Sequence, residues 1–260
     1  MRLSIRSSLA LVLVPLALGS GAAARADLAM YYVGRDTAAG TNQGRLTFLF
    51  NHGNHFHRLG PFGTEGRIPE PNPGGRIALL PGTGALAGRF VSGAYDDPSD
   101  PTSEFSDLEI RPISTLLGFP AGSPEATLIG GGQRYLGDLS GTTVALELVS
   151  ISAGLGVRDG QGNAILTSPG STFALGAGDA FAPFTPMFVT DLNAAGGSPY
   201  SATFRLVDLS GRVGSSGNFT YQLASVPEPG SLVLVGVGGG LLAVVSYRRR
   251  RRARAALATS

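Results

Sequence analysis

The run TTVALELVSI, Thr142–Ile151, decides the fold class. Val144, Leu146 and Leu148 recur at every second position, while Glu147 falls between them and points the other way. That period of two is the mark of a strand with one buried face. Six further runs read the same way: Gly44–Phe50, Arg76–Leu80, Gly88–Gly93, Phe105–Ile113, Ser201–Leu209 and Gly217–Val226. Glycine and proline punctuate the intervals between them. Between residues 27 and 225 no stretch keeps a helical period for ten residues without a glycine or proline. Many short strands separated by turn signals predict an all-β domain of the β-sandwich or jelly-roll kind. About 200 residues suffice for one such domain and its core.

The two ends of the chain read differently from this body. Arg2 and Arg6 precede an apolar run, Leu9–Leu18, and small residues follow as far as Ala24-Arg25-Ala26. This is the pattern of a secretory signal peptide over residues 1–26. The run is too short to favour the alternative of a membrane anchor, which needs about 20 residues. At the other end, Pro227-Glu228-Pro229 is followed by the uncharged stretch Ser231–Tyr247, SLVLVGVGGGLLAVVSY, and then by Arg248, Arg249, Arg250, Arg251 and Arg252, with Arg254 beyond. Such a run is at the short end of what spans a bilayer, and the arginines belong on the cytoplasmic side. The expected precursor therefore has its body, residues 27–225, outside the cytoplasm. A tail segment, 226–254, crosses the membrane, and a last stretch, 255–260, remains inside.

Charge follows this division. The whole chain is nominally +2, yet the body carries eleven arginines against seventeen acidic residues, a net charge of −6. The basic residues are concentrated in the ends, so a nucleic-acid surface is excluded. Cysteine is absent. The domain must rely on its core for stability, and any metal site in it must use nitrogen and oxygen ligands.

All three histidines fall within NHGNHFHRLG, residues 51–60: His52, His55 and His57. On a strand His55 and His57 share a face, and Gly53 allows a turn that folds His52 back towards them. Three imidazoles converging at about 2.0–2.1 Å suit Zn²⁺ with a fourth position left for water or a carboxylate, and they suit other divalent metals as well. Binding through neutral imidazole should weaken below about pH 6.5. The alternative is a polar loop with one ring packed on an aromatic and two in solvent. Glu65 and Glu70 follow closely enough to be considered as a general base. Nothing in GTEGRIPEPNPGG fixes their position, and no HExxH, G-x-S-x-G or Ser/His/Asp arrangement supports an enzyme. Asp96, Asp97, Asp100, Glu104 and Asp107 form an acidic patch without the spacing of a calcium loop, and read as solvated. The glycines of LIGGGQR lack the lysine and the strand–helix setting of a phosphate loop.

The tail, VPEPGSL followed by a glycine-containing apolar run and an arginine cluster, resembles the PEP-CTERM sorting signal of Gram-negative bacteria. That resemblance implies processing by an exosortase, a membrane transpeptidase-like enzyme, with Pro227, Glu228 and Pro229 as recognition residues and no catalytic role. The body, through GRLTFLFNHGNHFHRLG, RIPE, FSDLEI, GDLSGTTVALELVSISAGLGV and YSATFRLVDLSGRVGSSGNFTYQL, resembles the Zur-repressed PEP-CTERM proteins. Zur is the zinc-uptake repressor, so this second resemblance implies expression when zinc is scarce and a zinc-binding role on the cell surface or beyond it. A structural protein of the extracellular matrix is the alternative, with an extracellular polysaccharide as a candidate partner. A metal-dependent hydrolase is the third reading.

Overall fold

In the computed structural model, residues 28–60, 65–67, 77–92 and 105–226 are described. The expected signal peptide and the membrane-crossing tail lie outside them. So do Glu70, Asp96, Asp97, Asp100 and Glu104; Glu65 and Asp107 are described in their backbone alone. Among the described residues no helix is long and apolar enough to cross a membrane.

The described chain is predominantly strand. In order these are β1 (Leu28–Arg35), β2 (Leu46–Asn51), β3 (Phe56–Leu59), β4 (Glu65–Arg67), β5 (Ile77–Pro81), β6 (Phe90–Ser92) and β7 (Phe105–Pro112). After a single helix, α1 (Pro124–Gly132), come β8 (Thr143–Ile151), β9 (Leu155–Arg158), β10 (Ala164–Ile165), β11 (Thr172–Ala177), β12 (Met187–Thr190), β13 (Pro199–Asp208) and β14 (Asn218–Ser225). A small sheet has the order β3-β2-β1-β7. The larger runs β10-β9-β12-β6-β5-β14-β13-β8-β11, with β4 added beside β14, and nearly closes on itself like a barrel.

All seven runs singled out in the sequence are strands, and Val144, Leu146 and Leu148 are buried. The connectivity differs from that of a jelly roll, whose strands pair antiparallel. Here β1 pairs β7 in parallel, and β14 pairs both β4 and β5 in parallel. Leu108, at φ +55° and buried, forms a bulge in β7 that shifts its register on β1.

The principal core fills the space between the two sheets. Met30, Tyr31, Val33, Phe48, Phe50 and Leu59 of the small sheet meet Leu146, Leu148, Phe204, Phe219, Tyr221 and Leu223 of the large one. Phe48 stacks on Phe219 at 4.0 Å, and Tyr31 stands edge-on to Tyr221 at 5.4 Å. These pairs set β2 and β14 facing one another and running in the same direction. A second core covers the outer face of the small sheet, where Tyr32, Leu49 and Phe56 pack under Leu128 and Ile129 of α1 and under Ile113, Leu116 and Tyr135.

The β13–β14 connection is tied by one carboxylate. Asp208 accepts hydrogen bonds from the backbone N–H groups of Thr143, Ser210, Arg212 and Val213 and from the Ser210 hydroxyl. Desolvation would raise its pKa, but these donors outweigh that and hold it down at about 2, against an ordinary 3.8. A depressed pKa makes the contribution complete above the unfolded value and lost as pH falls towards the folded one. Asp208→Asn is therefore expected to cost about 1–2 kcal/mol at neutral pH. In urea unfolding, the gap between wild type and variant should be constant above about pH 4 and close between about pH 4 and 2.

Ser225, the last residue of β14, is buried. Its hydroxyl donates to Ala195 O and accepts from Ser198 N, its own N–H binds Ser198 O, and its carbonyl accepts from Gly197 N. Val226 N then donates to Leu79 O at 2.9 Å. The sheet therefore continues to the residue immediately before Pro227, because β14 lies between partners on both sides.

Candidate metal centre

The three histidines meet at the hairpin joining β2 and β3. His52 N donates to His55 O across the turn at 2.9 Å, and Gly53 takes φ +83°, a conformation that only glycine adopts without cost. Asn51 fixes the turn from below. Its side-chain oxygen accepts from Gly53 N at 2.8 Å, and its amide donates to Ala29 O on β1 at 3.1 Å. Asn51 is fully buried. An asparagine that bonds to the backbone two residues on is an Asx turn, and the sequence signal for it was Asn51-His52-Gly53.

The helix α1 closes on the other side of the hairpin. A Cβ on Gly131 would lie 3.4 Å from His55 Cα, and one on Gly132 would lie 2.6 Å from the ring of Phe56. Phe56 is held in turn between Tyr32 and Tyr135, so its ring has little freedom to yield. Gly131 and Gly132 of LIGGGQR thus have a packing role, as the helix end on which the histidine turn rests. Gly132→Ala is expected to destabilise the domain by about 1–3 kcal/mol through overpacking, read as a lower urea midpoint.

With the backbone so placed, the imidazoles converge. One nitrogen from each of His52, His55 and His57 lies within 4.8 Å of the others, and His55 Nε2 stands 3.1 Å from His57 Nε2. Ligands of a tetrahedral zinc with bonds of 2.0–2.1 Å are about 3.3 Å apart. One pair is therefore already near coordinating distance, and the third nitrogen is no more than 4.8 Å from either. His55 Nδ1 bonds the side-chain oxygen of Asn54. With that nitrogen as donor, His55 Nε2 presents its lone pair to the cluster. The pKa of His57 is lowered, first by partial burial and then by the neighbouring imidazoles of His55 and His52, which keeps it in the neutral, ligating form. All three rings are exposed, and Phe50 lies beneath His52 and His57 at 6.2 and 6.5 Å. No Asp or Glu among the described residues joins the group.

Behind the trio is a charged network that sequence reading passed over. Asp36, fully buried, accepts from Arg58 of β3 at 2.9 Å, from Arg134 at 2.7 Å and from Ala38 N at 2.9 Å. Its partner Arg134 lies 98 positions away. Arg58 is next to His57, so the network anchors the strand that carries His57.

At the other sheet, β14 delivers the chain to Val226 and then to Pro227-Glu228-Pro229. Residues 225–252 match the PEP-CTERM protein-sorting motif. The PEP-CTERM match includes Pro227, Glu228, Pro229 and the arginines Arg248–Arg252. It implies a secreted protein, membrane-anchored before exosortase processing and surface-exposed afterwards. Comparisons with curated proteins and with solved structures found no match for the chain.

Proposed function

We propose that this exosortase-sorted surface protein binds zinc, or a similar divalent metal, through His52, His55 and His57, and serves the cell under zinc limitation. The observation that carries the reading is the convergence of all three imidazoles on one point, on a turn braced by Asn51 and α1. The likeness of the body to Zur-repressed PEP-CTERM proteins supports zinc over other metals. A fourth position is left for water, and we assign no catalytic role to any residue.

The test is isothermal titration of Zn²⁺ into residues 27–226, made without a histidine tag. One saturable site of micromolar affinity or tighter is expected, about 8 kcal/mol or more. His57→Ala should weaken it roughly 100-fold, about 2.8 kcal/mol. Absence of saturable binding, or equal binding by the triple His→Ala variant, would sink the metal reading. What would then stand is a structural surface protein, a reading favoured by the exposure of the three rings.

A further inference from the structure

The end of the domain from which the sorting tail leaves is largely apolar; Arg89, half-buried with its side chain on Thr190 O, and the exposed Asp191 border it. β5 and β14 are parallel with Ser225 opposite Leu79. Val226 and Leu80 therefore follow side by side, on the face away from the core that holds Leu79 and Leu223. Leu80 is 42 % exposed and Val226 38 %. Leu192, 57 % exposed, belongs to the same end. Asn193 N donates to Gly88 O, Gly197 N donates to Ser225 O, and a Cβ on Gly88 would lie 3.0 Å from Leu192 Cδ1. The two loops that build this end, residues 80–88 (LPGTGALAG) and 192–198 (LNAAGGS), hold no charged side chain, in a body whose net charge is −6.

Four residues, 227–230, separate Val226 from the apolar run that starts at Ser231. However they run, they place Val226 within about 18 Å of Ser231. The headgroup layer on one side of a bilayer takes up roughly 5–7 Å of that reach. About 11–13 Å of reach is left, so this end of the domain stays close to the surface, and its loops 80–88 and 192–198 carry no charge.

We propose that Leu80, Leu192 and Val226 form a membrane-contacting face that seats the folded domain on the lipid surface while the precursor is anchored. The proposal rests on the anchored-precursor reading of the tail. Three exposed apolar side chains at the interface would be favourable in lipid headgroups and unfavourable in water. The acidic remainder of the body is held away from anionic lipid.

The chain has no cysteine, so a single one can be placed at will. The full-length protein carrying Leu192→Cys is labelled with an environment-sensitive dye and reconstituted into phosphatidylcholine vesicles containing bromine-labelled lipid chains. Leu209→Cys is the control, also an exposed leucine, 52 % accessible, but at the opposite end of the sheet where β13 finishes. Quenching at position 192 is expected to be roughly threefold stronger than at 209, because an interfacial side chain sits about 5–10 Å into the headgroup and acyl boundary. Leu80→Glu should reduce that quenching. Equal quenching at both positions in protein that floats with the vesicles would overturn the face and leave the anchor standing. A chain that does not float removes the anchor, and the face with it.

Discussion

Asp36→Ala should unfold the domain at a markedly lower urea concentration than wild type, with a loss of about 3 kcal/mol. The carboxylate is fully buried, while Arg58 and Arg134 that bind it are 27 % and 44 % exposed. Removing the acid leaves two guanidinium groups without their partner and Ala38 N without its acceptor. Partial solvation of the arginines keeps the loss at the lower end of the range for broken buried pairs. Burial alone would raise the pKa of Asp36, but the hydrogen bonds from Arg134, Ala38 and Arg58 prevail and hold it below 3.8. The contribution is thus complete above the unfolded carboxylate pKa and is lost as pH falls through the lowered folded value. A difference between wild type and variant that persists unchanged at pH 2 would contradict this account. Because Arg58 neighbours His57, the same substitution should also loosen the His57 strand and weaken the metal binding we propose.

Phe48→Ala is expected to cost still more, about 3–5 kcal/mol, as buried phenylalanine truncations do. Phe48 is wholly inaccessible and is stacked on both sides, by Phe219 at 4.0 Å and Tyr31 at 5.1 Å. The cavity cannot collapse easily, since Tyr31 is itself wedged against Tyr221. A domain of this size has about 5–15 kcal/mol in total, so the variant should lie near its folding limit at 37 °C. Thermal unfolding followed by near-ultraviolet dichroism would read it directly. A shift in midpoint no larger than that of a surface substitution would mean that the two sheets do not share this core.

The sequence disclosed strands with one buried face, and β2 with two, but not β1. Val144, Leu146 and Leu148 alternate with Glu147 because one side of β8 faces the core. LAMYYVGR of β1 shows no such alternation, since its two faces lie under separate cores and six of its eight residues are buried. The helix α1 was equally hidden: it is nine residues long and carries three glycines. Gly131 and Gly132 have their explanation in the hairpin they touch, more than 70 positions earlier. The meeting of the three histidines could be read from their spacing, because they lie on one turn. Its supports could not, since Ala29, Asp36 and Arg134 come to it from distant parts of the chain.

The placement of β14 has a mechanical consequence. Its hydrogen bonds to β13, β4 and β5 lie across the strand. A tug on the tail, directed along the strand, therefore strains these bonds in shear and all together. An edge strand would peel away one bond after another. A surface protein held by its C-terminus through a strand in the middle of its largest sheet is tethered at a point that resists being drawn out.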